Sequence, residues 1–116
     1  MMYKDKGIVY GNYIIDRLGV YLNENIGIKV ETFYNCRELG YVLRAHNKDY
    51  SKKVNIWIYA HRNSDEPTIT WGQELGADNM FTENEWINYT KSYSNINDAF
   101  DKVVSILKKE LDIELN

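Results

Sequence analysis

Two histidines and a run of aromatic residues are the groups in this chain best placed to do chemistry. In the stretch NIWIYAHRNSDEPTITW, Asn55 to Trp71, apolar and polar residues alternate, break at an acidic turn and alternate again. Asn55, Trp57, Tyr59 and His61 therefore share one strand face, opposite Val54, Ile56, Ile58 and Ala60. His46 falls on a neighbouring predicted strand, and two histidines on adjacent strands are the beginning of a metal site. A metal needs a third ligand and groups that orient the first two, however, and Asp49, Asp65 and Glu66 offer only loop carboxylates. Cys36 stands beside Arg37, whose charge favours the thiolate. A nucleophilic cysteine also needs a histidine base and an oxyanion site, and nothing near Cys36 specifies them. GxSxG, HExxH, CxxC and phosphate-binding glycine loops are absent from the sequence. The expectation is a protein with no catalytic residues, no metal and no cofactor.

Aromatic and basic residues without chemistry beside them read as a contact surface. Arg44, His46, Trp57, Tyr59, His61 and Arg62 form the candidate partner-binding set, because tyrosine, tryptophan and arginine anchor interfaces. Asp78, Glu83 and Glu85 form a second, acidic candidate for a basic partner. The same aromatics would also serve a purely structural role, packed across strands or beneath the 74–84 loop. Stacked bases are a further alternative, since Lys52, Lys53 and Arg62 lie near the rings. The net charge of −3 disfavours nucleic acid, whose binders neutralise phosphates with a basic surface.

At 116 residues the chain is expected to fold as a single domain spanning 1–116. Hydrophobic content of 44% and charged content of 27% are those of an ordinary globular protein. No apolar run approaches the length of a membrane helix, and the first residues do not read as a signal peptide. The lone cysteine, Cys36, agrees with a reducing compartment, so the expected location is cytoplasmic. The sequon Asn88-Tyr89-Thr90 is accordingly expected to stay unmodified.

These residues need elements to position them. Ile14, Leu18, Tyr21 and Leu22 predict a helix over Tyr10–Asn25, capped by Asn12, with Asp16 in its first turns and Gly27 ending it. Gly19 falls in its middle. Strands are predicted over Ile28–Tyr34, Leu39–His46, Val54–His61 and Thr68–Gln73. Tyr34 is expected opposite Leu39, and Thr68 opposite His61, since both registers keep apolar residues together. Glu74–Asn84 reads as a loop pinned by Leu75, Met80 and Phe81, and Glu85–Tyr93 as a fifth strand or a short helix, the strand favoured by its residue types. Asn97 is expected to cap a helix over Asp98–Asp112 with the stripe Phe100, Val103, Val104, Leu107 and Leu111.

The order helix, meander, helix implies an α+β two-layer sandwich, an antiparallel sheet of four or five strands with both helices on one face. Val30, Leu43, Ile56, Ile58, Leu18, Phe100, Val104 and Leu107 are the expected core. The functional expectation is a small non-catalytic protein that binds and blocks or modulates a macromolecule, most simply another protein. By class-level analogy, the profile resembles phage and mobile-element accessory proteins, such as inhibitors of host defence, and toxin-neutralising immunity proteins. A single-stranded nucleic-acid binder, and a small-molecule binder with a pocket between helices and sheet, are the alternatives.

Overall fold

A computed structural model describes residues 3–19, 26–34, 38–61, 66–72 and 90–114. In chain order these form α1 (Tyr3–Leu18), β1 (Ile26–Tyr34), β2 (Glu38–Asn47), β3 (Lys53–His61), β4 (Thr68–Gly72), β5 (Thr90–Ser92) and α2 (Ile96–Leu111). The strands lie side by side in the order β1-β2-β3-β4-β5, every neighbouring pair antiparallel. Both helices pack across β2 and β3, which makes the fold an α+β two-layer sandwich.

The core sits between the layers. Ile14 and Leu18 of α1 meet Phe100, Val103, Leu107 and Leu111 of α2 above Leu43, Val54, Ile56, Ile58 and Ile69 of the sheet. None of these side chains is more than 2% exposed. Each contributes about 1.5–3 kcal/mol through burial. Two expected core residues fare differently: Val30 is 37% exposed and Val104 is half-buried against the cluster. Val30 belongs to β1, an edge strand, whereas the helices cover the sheet's interior strands.

The first helix begins and ends earlier than its sequence spacing suggests. Gly7 and Gly11 read as poor helix formers, but both lie where α1 presses on the sheet. A Cβ on Gly7 would stand 2.6 Å from the backbone nitrogen of Ala60 and 2.6 Å from the carbonyl oxygen of Leu39. A Cβ on Gly11 would run into the ring of Tyr41. These glycines bring the helix close to the strands, at the usual loss of helix propensity. Asn12 is therefore inside the helix rather than at its cap, and its Oδ1 accepts a hydrogen bond from the Tyr41 hydroxyl at 2.6 Å. Asp16 falls near the helix's C-terminal end, not its start, and Gly19 follows the last helical residue. Gly27 belongs to β1, opposite His46. Tyr21 and Leu22 lie outside the described residues.

The β1–β2 register is the expected one, with Tyr34 opposite Leu39, Thr32 opposite Tyr41 and Val30 opposite Leu43. The β3–β4 register is displaced by two residues. Thr68 stands opposite Tyr59 rather than His61, and Ile69 opposite Ile58. A two-residue shift leaves every side chain on its own face, so apolar pairing constrains the face and not the offset. Gln73, the 74–84 loop and residues 85–89 lie outside the described residues. Of the predicted fifth strand, Thr90–Ser92 is a strand, and Tyr93 leaves it by donating its backbone N–H to Pro67 O at 2.8 Å.

Asn95, not Asn97, caps α2. Its extended backbone (φ −113°, ψ 123°) lets the side-chain oxygen accept from the backbone N–H groups of Asn97 at 2.8 Å and Asp98 at 3.3 Å. Asp98 in the first turn and Lys108 and Lys109 in the last suit the helix dipole.

Candidate functional site

The sheet face turned away from the helices carries Lys29 and Glu31 from β1, Val42, Arg44 and His46 from β2, and Asn55, Trp57 and Tyr59 from β3. Alternation placed them together, and their pairing confirms one shared face. Yet this face is not uniformly open. Thr70 is fully buried, Tyr59 and Thr68 are each 5% exposed, and Val42 is 7% exposed. The hydroxyls of Tyr59 and Thr70 hydrogen-bond at 3.1 Å. Trp57 is half-buried between Val42 and Thr70. The β3–β4 half is thus packed, and accessibility is concentrated at the β1–β2 side and the β2–β3 turn.

That turn is built from its own polar groups. Asn47 N donates to Lys52 O at 3.1 Å, and Tyr50 N donates to Asn47 O at 3.1 Å. The Asn47 side chain accepts from Lys52 N at 3.1 Å and donates to Ser51 Oγ at 2.9 Å. Ser51 holds the Asp49 carboxyl below its ordinary pKa, first through its hydroxyl and then through its backbone N–H. Tyr50 sits at the apex with φ 61°, a left-handed conformation that bulky residues seldom adopt. Its ring stacks on His46, with centroids 3.8 Å apart and planes at 13°, while remaining 62% exposed.

His46 is fixed from two further sides. Its Nδ1 lies 2.8 Å from Asn47 O, so this nitrogen carries the proton and donates it. Its Nε2 edge lies over Gly27, where a Cβ would strike the imidazole. His46 is therefore a platform for Tyr50. His46 stands opposite Lys53, at the end of the β2–β3 ladder remote from His61, which stands opposite Glu38. At about 3.3 Å per residue the two histidines are roughly 26 Å apart. They cannot share a metal ion. Among the described residues no group of three or more histidine, cysteine or acidic side chains is placed to hold one.

Beside the stack lies a depression of about 320 Å³, lined by Lys29, Arg44, His46, Tyr50, Lys53 and Asn55 among others. Lys29, Arg44 and Asn55 form one row across three strands. Cations directly opposite each other repel. Glu31 offsets this by lying 3.1 Å from Lys29 Nζ and 3.8 Å from Arg44 Nε. The Lys29 hydrogen bond, and then the charges of Lys29 and Arg44, hold the Glu31 carboxyl below its ordinary pKa. Arg44 Nε is buried without a hydrogen-bond partner, because Glu31 stays beyond hydrogen-bond distance. Asn55 is 6% exposed. The arrangement can receive an anionic group from solvent and a flat group against Tyr50.

Of the residues expected to form the contact surface, Arg44 and His46 stand here together. Trp57 is on the same face but further in, Tyr59 is packed rather than presented, and His61 is at the far end. Arg62, Asp78, Glu83 and Glu85 lie outside the described residues, as does Cys36. Tyr50 falls between the predicted strands Leu39–His46 and Val54–His61, in a stretch to which sequence reasoning gave no role. The available signal was a single aromatic inside a run of turn-forming polar residues. Comparison with family models, with curated proteins and with solved structures gives no match.

Proposed function

We propose that this protein acts by docking onto another macromolecule, a protein with an acidic contact segment, and thereby blocks or modulates it. The observation that carries the reading is Tyr50, a large ring held in an uncommon backbone conformation, supported by His46 and turned to solvent. Such a conformation costs of order 1–3 kcal/mol and persists where surrounding structure enforces it. Tyrosine beside arginine is the composition of an interface hot spot, and the cations around the depression favour an acidic partner. An inhibitor or immunity-type role, as in phage and mobile-element accessory proteins, is the form of this reading that a small domain without a recognisable catalytic motif supports. The lone cysteine fits a cytoplasmic setting.

The test is affinity capture from a host lysate, identification by mass spectrometry, and calorimetry of variants against the captured protein. Tyr50→Gly keeps a left-handed turn available and removes the ring. It should weaken binding by at least about 2 kcal/mol, roughly thirtyfold. Arg44→Gln should slow association and flatten its salt dependence. Wild-type affinity in both folded variants would overturn the assignment.

A second reading rests on one observation, the stacked rings of His46 and Tyr50 beside Lys29, Arg44 and Lys53. Rings flanked by cations suit single-stranded nucleic acid. Salt-dependent binding of a labelled oligonucleotide, abolished by Tyr50→Gly, would favour it over the protein partner.

A further inference from the structure

We propose that the depression between Arg44 and Asn55 is a binding site for a phosphate group. This goes beyond the docking reading and does not require a macromolecular partner. Three observations point to it independently of Tyr50.

The first is charge. Lys29, Arg44 and Lys53 line the depression, and Glu31 pairs with two of them, Lys29 and Arg44. Two cations sharing one carboxylate leave a positive charge in excess. A phosphate monoester, with about −1.5 to −2 charges and three acceptor oxygens at neutral pH, offers that pair more than a carboxylate does.

The second is the state of the donors. Arg44 Nε is buried with its hydrogen-bonding capacity unmet. A buried donor left unpaired costs about 1–3 kcal/mol, more when the group is charged. Glu31, at 3.8 Å from that nitrogen, attracts it without satisfying it. An oxyanion entering the depression would supply the missing acceptor. The bond would be charge-assisted, the strong kind for a guanidinium.

The third is Asn55. Its side chain is nine-tenths buried and lines the depression, yet it makes no side-chain hydrogen bond to another described residue. Buried amides are normally paired. Cross-strand pairing puts Asn55 directly opposite Arg44. Its amide N–H₂ and the guanidinium can therefore address one ligand oxygen cluster together. Lys29 and Lys53, both exposed, add charge at the rim and can follow the ligand.

The experiment is a titration of the isolated protein at constant ionic strength, followed by two-dimensional NMR of the Arg44 Nε–H and the Asn55 side-chain amide. The probes are inorganic phosphate, phenyl phosphate and acetate. Phosphate should shift both signals and saturate in the millimolar range. Arg44→Gln should weaken it roughly tenfold or more. Lys53→Gln, a change at an exposed position, should weaken it less. Glu31→Gln removes the competing carboxylate and should tighten binding. Tighter binding of phenyl phosphate than of inorganic phosphate identifies an ester whose ring lies on Tyr50; the reverse order identifies the free ion. Unsaturating shifts, equal response to acetate, or unchanged affinity in Arg44→Gln and Lys53→Gln would overturn the proposal. None of these outcomes depends on a captured protein, so the docking reading stands or falls separately.

Discussion

The guanidinium of Arg17 in α1 sits over the ring of Phe100 in α2, 4.1 Å from its centroid. The same group donates to the Tyr13 hydroxyl at 2.7 Å and to Asn97 Oδ1 at 3.3 Å, and the Tyr13 hydroxyl donates to Asn97 Oδ1 at 2.6 Å. One cation thus fastens the two helices by a ring contact and a shared acceptor. This also explains why Asn97 is not the cap of α2: its side-chain oxygen is engaged by α1.

Arg17→Ala should destabilise the fold by about 1–2 kcal/mol, and Arg17→Lys should recover part of that, because an ammonium keeps the charge but loses the planar fork. Urea denaturation of the three proteins, compared at equal m-values, checks the order.

Gly7→Ala reverses the usual helix rule. In an exposed helix the change stabilises by roughly 0.5–1 kcal/mol. Here the added methyl meets backbone atoms of two strands at 2.6 Å, and backbone cannot rotate away. The expected outcome is a net loss of about 1–3 kcal/mol, read as a lower melting temperature.

Ile58→Ala removes a fully buried side chain at the centre of the core and should cost about 2–5 kcal/mol. Val30→Ala at the uncovered edge should cost well under half as much. Equal losses in paired denaturation curves would contradict the placement of the helices over the interior strands.

Glu31 should titrate below the ordinary glutamate value, since Lys29 and Arg44 favour its ionised form. A carboxyl depressed by folding contributes stability above its unfolded pKa and loses it as pH falls through the folded one. The contribution is small at this exposed position. Carbon-detected NMR of the Glu31 carboxyl gives the midpoint, and Lys29→Gln should move it upward.

Tyr50→Gly should leave stability unchanged or slightly raised, the relief of a left-handed tyrosine offsetting the lost stack on His46. Tyr50→Val, which cannot accept that backbone, should lower the melting temperature.

How much was legible follows from where the chain repeats a pattern. Ile56 and Ile58 alternating with Trp57 and Tyr59 revealed β3 and its two faces, and the apolar pairing of Tyr34 with Leu39 agreed with the observed β1–β2 offset. The β3–β4 offset was not recoverable, because Ile58 pairs as well with Ile69 as with Trp71. The start of α1 was hidden by Gly7 and Gly11, whose value lies in contacts with strands distant in sequence. In the site, Arg44 and His46 were found by alternation alone. Tyr50 was not, since turn residues carry no period and its importance comes from one backbone angle and one neighbouring ring. The closure of the face around Thr70 was equally invisible, because alternation assigns a side but not its covering.

Every strand in this sheet is paired to its neighbour in sequence, whereas the Tyr13–Asn97 contact joins residues 84 apart. Strands β1 to β4 can therefore pair through connections of three to six residues, while the helix clasp must wait for a long one. Closing a flexible loop of that length from the open chain costs about 4 kcal/mol. On a formed sheet most of that loop is already ordered, so the clasp is a late event. A weakened clasp should then speed unfolding and leave refolding nearly untouched, which chevron plots of Arg17→Ala would display as a shift confined to one limb.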